Sequence, residues 1–214
     1  KIIKDLGLAA ISIFGLLIAV FIGIALVSKE VERKSVFGLL TKPITRSQFI
    51  LGKYAGLVLT LAVNIAAMTV AFYAVLMYMN AQVADSVRAA WPAPALDPRL
   101  LVAILLIFAE LTVVTAVAMF FSTFSSPLLA TVLTLGLWVA GHFNADLRQF
   151  ENVVNSAVIV WIAKALYYLL PNLANYSFIT PAAHGRSPGP VFVFTTGLYG
   201  LVYITVILAA ATLV

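Results

Sequence analysis

Apolar residues in this chain come in runs too long for an ordinary globular core, and the polar residues fall almost entirely between them. Leu6 to Val27 is 22 residues without a charge. At about 1.5 Å per residue, such a helix crosses a hydrocarbon core of about 30 Å. Further runs cover Tyr54 to Met79, Leu100 to Phe121, Leu128 to about Phe143, and Val191 to Val214. Barrel strands would be about 10 residues long with alternating polarity, so these longer, non-alternating runs predict helices, whose backbone pairs within itself. The pattern therefore predicts an all-α polytopic membrane protein, with five transmembrane helices in a single transmembrane domain spanning residues 1–214.

The punctuation agrees with the runs. Asp97-Pro98 and Ser126-Pro127 each place an N-cap residue before a proline suited to a first helical turn, ahead of the third and fourth runs. The connection Ser122 to Pro127 is short, so those two helices are expected to be antiparallel neighbours. Segment 28–53 is the most polar part of the chain. Residues 80–99 form a second loop, with Asp85, Arg88, Asp97, Arg99 and three prolines.

Charge then gives the loops a side. Lys29, Arg33, Lys34, Lys42, Arg46 and Lys53 lie in segment 28–53, against Glu30 and Glu32, and the whole chain holds 13 basic residues. By the positive-inside rule, 28–53 is cytoplasmic and 80–99 is an outer loop. The formal net charge of +5 thus reports membrane orientation; no basic stripe with interleaved aromatics points to nucleic acid. Composition excludes an ordinary soluble domain, since 63% of residues are hydrophobic and 10% charged, against about half and about a quarter in soluble proteins. With no cysteine there are no disulfides or thiolate metal sites. The start at Lys1 and the end at Val214 inside an apolar run are what a portion of a longer subunit would show.

Segment 144–190 is the least regular. Its apolar part, Ala157 to Leu170, is 14 residues long and contains Lys164, about 21 Å of helix and short of a full crossing. Val154, Val158, Trp161, Ala165 and Leu169 share one side at helical spacing, while Asn152, Ser156, Lys164 and Tyr168 share another. The expectation is an outer interfacial or re-entrant helix. Pro171, Pro181, Pro188 and Pro190 then keep the chain irregular up to the last span, which runs inward.

Within the basic loop, Thr45 and Gln48 match a capping box that starts a new helix near Arg46 and continues into the second span. Ahead of it, Val31 to Leu40 mixes Glu32, Arg33 and Lys34 with Phe37, Leu39 and Leu40, and Lys42-Pro43 ends it. This is a short amphipathic helix, then a proline break, then a membrane-entering helix. It could dock a cytoplasmic partner or snorkel against anionic headgroups.

The run Ser28-Lys-Glu-Val-Glu-Arg-Lys-Ser-Val-Phe-Gly-Leu-Leu-Thr-Lys-Pro-Ile-Thr-Arg-Ser-Gln-Phe-Ile-Leu-Gly-Lys53 resembles the first cytoplasmic loop of type-2 ABC exporter permeases, particularly the multicopper-enzyme-maturation subfamily. Glu30, Glu32, Leu39, Leu40, Pro43, Arg46, Gly52 and Lys53 match its pattern in order. Phe121-Ser-Thr-Phe-Ser-Ser-Pro127, Gly141-His142 and Leu170-Pro-Asn-Leu173 resemble later parts of the same subfamily. The resemblance implies a permease of the inner (cytoplasmic) membrane, six spans in a full subunit, a homo- or heterodimer, and a separate cytoplasmic ATP-binding subunit. It implies docking of that subunit through Glu30, Glu32, Arg33, Phe37, Leu40, Pro43 and Arg46. Since no Gly-rich phosphate loop occurs here, ATP and Mg belong to the partner, and the chain carries no cofactor of its own.

Glu110 stands out in the middle of the third run, where an ionisable residue is costly in lipid and must find partners. Thr112, Thr115 or Asn64 are the expected ones. His142 and His184, with Asp146 and Arg186, lack the clustered spacing of a metal site. Gly52, Gly56, Gly136, Gly141, Gly197 and Gly200 are expected at close helix contacts. The alternatives to a permease are a membrane enzyme acting on a lipid, with Glu110 or the histidines in its site, and a membrane anchor that recruits a soluble partner through the basic loop.

Overall fold

Each long apolar run forms a helix, and each helix extends past its run wherever a cap or a polar turn carries it on. The computed structural model describes residues 2–32, 45–83, 94–144, 160–161, 164, 167 and 170–213, with residues 25–32 as backbone only. The chain is all-α; among the described residues there is no strand. Helix α1 is Ile2–Glu32, α2 is Arg46–Gln82, α3 is Arg99–Phe124 and α4 is Pro127–His142. A 3₁₀ turn, Leu173–Tyr176, and a short helix α5, Ile179–Ala183, lead to α6, Pro190–Leu213. Four of these helices, α1, α2, α3 and α6, are long and apolar enough to cross a membrane. The expected multi-pass architecture is therefore present.

Helix α3 is the axis of the fold. Fifteen of its 26 residues are buried, and from Val113 to Met119 burial is continuous around the helix. Such all-round burial is possible because α1, α2, α4 and α6 all pack against it. Helix α1 presents Leu8, Ile11, Leu16, Ala19, Val20 and Ile24 at helical spacing as its buried face. Helix α2 buries a narrow stripe, Leu57, Leu61, Ile65, Phe72 and Leu76. Its other positions, such as Leu59, Val63 and Val70, are apolar and exposed. Exposed apolar residues on these faces suit a lipid solvent.

Two glycines of α1 set how closely the bundle packs. At Gly7 an added Cβ would collide with the Phe72 ring of α2, and at Gly15 with the Leu111 side chain of α3. Of the six glycines expected at close contacts, only two are so placed. A methyl group at Gly141 would sit 2.9 Å from both the Leu173 side chain and the Pro171 carbonyl oxygen, and one at Gly200 would meet the Tyr176 hydroxyl. Gly52, Gly56, Gly136 and Gly197 have open space around them. Helices α2, α4 and α6 turn those glycines away from the neighbours within the chain.

The helix starts differ in detail from the expectation. Asp97 does cap: its Oδ1 accepts the Arg99 backbone N–H at 3.0 Å, and its carbonyl accepts that of Leu100 at 3.1 Å. Ser126 takes the extended N-cap conformation with Pro127 inside the first turn, but its hydroxyl makes no capping bond. Proline alone marks that start. Helix α4 has 16 residues, about 24 Å of helix, and so is shorter than the core it was expected to cross.

Candidate functional site

The capping box at the start of α2 is built as expected. The Gln48 backbone N–H donates to Thr45 Oγ1 at 3.3 Å, and the Thr45 N–H donates to Gln48 Oε1 at 3.2 Å. Two backbone donors that the first turn would leave orphaned are satisfied. From this point α2 runs unbroken for 37 residues. Arg46 is exposed on its first turn, and Lys53 lies 5.2 Å over the Phe49 ring. Of the other expected docking residues, Arg33, Phe37, Leu40 and Pro43 lie outside the described residues. Glu30 and Glu32 end α1 as helical backbone.

At the middle of the bundle, Glu110 is 2% exposed. Its partners come from α4 across the helix pair and not from its own helix or α2. Trp138 Nε1 donates to Glu110 Oε1 at 2.8 Å, and His142 Nε2 lies 3.5 Å from the same oxygen. The expected partners are occupied locally. Thr112 donates to the Ala109 carbonyl, Thr115 to that of Leu111, and Asn64 to that of Thr60. Each satisfies its polar group within about one turn of its own helix, which is the cheapest solution in lipid. A sequence signal for the true partners did exist. Reflecting Glu110 through the 125–126 turn of an antiparallel pair lands beside His142, and Trp138 is one turn earlier.

Helix α4 ends at this level, about 17 Å along α3 from Arg99. Beyond it, side chains take over the backbone pairing that a helix would have supplied. Asn144 Nδ2 donates to the carbonyls of Tyr167 and Leu170, at 3.3 and 3.0 Å. The Asn172 backbone N–H donates to the Tyr199 hydroxyl at 3.0 Å. Tyr176, fully buried, donates to the Thr196 carbonyl of α6 at 3.0 Å, and burial raises its phenol above the ordinary range. Of the outer segment Ala157 to Leu170, only residues 160, 161, 164, 167 and 170 are described, so its interfacial placement lies outside the described residues.

A second polar group ties together the end where α1 begins and α2 finishes. The Lys4 ammonium donates to the Pro94 carbonyl at 2.7 Å, Tyr73 donates to the Asp97 carbonyl at 2.9 Å, and the Arg99 guanidinium donates to the Gly185 carbonyl. His184 bonds the Thr180 carbonyl at 2.8 Å and joins no cluster with His142. Among the described residues no group of three or more His, Asp or Glu could hold a metal ion.

Between α2, α3 and α6 lies an open groove of about 550 Å³. Tyr54 and Val58, Phe108 and Thr112, and Gly197 and Leu201 line it from the three helices in turn. Tyr54 also donates to the Thr112 carbonyl at 3.1 Å. The first part of α2 is thereby tied to the middle of α3 at the groove's edge.

A family model described as ABC-2 family transporter protein matches residues 1–214. No curated protein and no solved structure matches the chain.

Proposed function

Because the chain belongs to the ABC-2 family of transporter proteins, and is thus a multi-pass permease component of an ABC transporter, we propose that it serves an exporter and is driven by ATP hydrolysis on a separate chain. The multicopper-enzyme-maturation subfamily is the proposed affiliation. The basic loop 28–53 is proposed to face the cytoplasm of a cell bounded by an inner membrane and to receive the ATP-binding subunit. A second permease copy or a paralogue completes the pathway at a dimer interface.

The observation that carries this reading is the continuity of α2. A capped first turn at Thr45 leads without a break through 37 residues to Gln82, and the same helix contributes Tyr54 and Val58 to the groove. A displacement applied near Arg46 would be transmitted as rigid-body motion to α2's contacts with α3 and α6. Helix α1, which enters the loop from the other side, packs against α3 as well. Both ends of the loop thus lead back to the central helix.

Co-purification in mild detergent tests the docking. The permease should retain an ATP-binding subunit, and the double reversal Glu32→Lys with Arg46→Glu should release it while the melting temperature stays near the parent's. One rim charge is worth only about 1 kcal/mol or less, so the double variant is the sharper probe. Undiminished recovery of the ATPase with the double variant would defeat the docking assignment.

A further inference from the structure

Glu110 and His142 face each other with a definite demand for protons. His142 Nδ1 lies 3.0 Å from the Trp138 carbonyl oxygen. A carbonyl can only accept, so Nδ1 carries a hydrogen. A neutral imidazole then presents a bare lone pair at Nε2. That nitrogen is 3.5 Å from Glu110 Oε1, which is itself an acceptor when the carboxyl is ionised. Two acceptors facing each other, the carboxyl one buried, repel unless a proton lies between them.

From this geometry we propose that Glu110, buried, and His142, 28% exposed at its side chain, form a proton-binding site that fastens the end of α4 to the middle of α3 by holding one shared proton. With that proton the pair has no net charge, whether it is written as imidazolium and carboxylate or as imidazole and carboxylic acid. A second proton makes it +1, and none leaves it −1. The unprotonated state buries an uncompensated carboxylate, which is strongly destabilising in a low-dielectric interior, and the doubly protonated state leaves an uncompensated imidazolium that is only partly buried and costs less. Trp138 serves as a positioning residue: its indole N–H fixes the carboxylate and its carbonyl fixes the imidazole tautomer.

Of the other titratable groups on described residues, Tyr176 lies close enough for the charge of Glu110 to act on its phenol. Among the described side chains, α1 brings only Lys4 and Asp5, which lie near the start of α3, about 20 Å of helix from Glu110. The hydroxyls of Tyr54 and Tyr73 on α2 are bonded to the Thr112 and Asp97 carbonyls. The 3₁₀ turn brings Tyr176, bonded to the Thr196 carbonyl, and α6 brings Tyr199, which accepts from Asn172. Lys164 and Tyr167 lie on the segment that meets Asn144. Helix α5 holds no titratable side chain.

The test follows the melting temperature of the full chain in nanodiscs from about pH 4 to about pH 9, which brackets ordinary carboxyl and imidazole titration. Stability of the parent should pass through a maximum, falling on the acid side as the pair gains a second proton and on the alkaline side as it loses its only one. Glu110→Gln removes the group that can carry the negative charge, so only the acid-side loss should remain. His142→Gln removes the group that can carry the positive charge, so only the alkaline-side loss should remain. The double variant should be flat once groups common to all four proteins are subtracted. Two single variants with the same sense of pH dependence, or a parent no more pH-dependent than the double variant, would overturn the site. If a single variant fails to fold, ¹⁵N-histidine NMR on the His184→Gln protein decides. Protonated Nδ1 of His142 at every pH supports the site, and an unprotonated Nδ1 with protonated Nε2 overturns it.

Discussion

Trp138 and Trp161 contrast a half-buried hydrogen-bond donor with a surface ring. Trp138→Phe removes the 2.8 Å donor to Glu110 while keeping most of the ring's volume, and should destabilise the fold by about 1.5–3 kcal/mol, as for a lost hydrogen bond to a charged or strongly polar group. Trp161 is 71% exposed, and its replacement by Phe should shift stability by no more than about 0.5 kcal/mol. Comparison of melting temperatures in one detergent measures both. Equal shifts would mean that the indole hydrogen bond contributes nothing. Glycines offer a similar contrast. Gly200→Ala sets a methyl against the Tyr176 hydroxyl, 2.5 Å from the Cβ position, and should cost about 1–3 kcal/mol as an overpacked contact. Gly197→Ala, with nothing within 4 Å, should be neutral or slightly stabilising through helix propensity. At this scale the sequence made Glu110 legible as a buried polar residue that needs partners. It misled on which ones, because Thr112, Thr115 and Asn64 had a nearer acceptor in their own helix. Only the antiparallel register of α3 and α4 brings Trp138 and His142 into range.

Among the elements, the start of α2 was fully legible, since a capping box is a local device whose two bonds depend on residues three apart. Thr45→Ala should cost about 1 kcal/mol, seen as faster amide hydrogen exchange at Gln48 and its neighbours with no change at Leu61 or Ile65 in the same helix's buried stripe. Uniform acceleration along α2 would show that the cap governs more than its own turn. The apolar run, Leu128 to about Phe143, placed the end of α4 to within a residue of His142, but what holds that end was not legible from hydropathy. Val139, Gly141 and Phe143 continue the apolar run, but Gly141 packs against Leu173 and Pro171, and Asn144 turns to the carbonyls of Tyr167 and Leu170. Those contacts join residues more than 20 positions apart, beyond the reach of a periodicity argument.

For the whole molecule, runs and loops announced a multi-pass bundle, but they could not say which helix stands at its centre. Every spanning helix is apolar on all sides, so pattern alone does not distinguish a lipid-facing surface from a helix-facing one. The distinction appears only as packing, with α3 enclosed by α1, α2, α4 and α6. Orientation remains a direct test on intact cells. The absence of cysteine means that Ser35→Cys and Ser86→Cys would each carry the sole thiol in this chain. An impermeant reagent should label position 86 and spare position 35; the reverse pattern would invert the topology. The groove between α2, α3 and α6 has a mechanical consequence. Where a recess of about 550 Å³ opens onto acyl chains, it changes volume whenever α6 tilts against α3, and the surrounding lipid must move to fill or vacate it. Tilting α6 therefore does work against the lateral pressure of the bilayer, and the resting angle of that helix should respond to lipid chain length and curvature stress even when no cargo or nucleotide is bound.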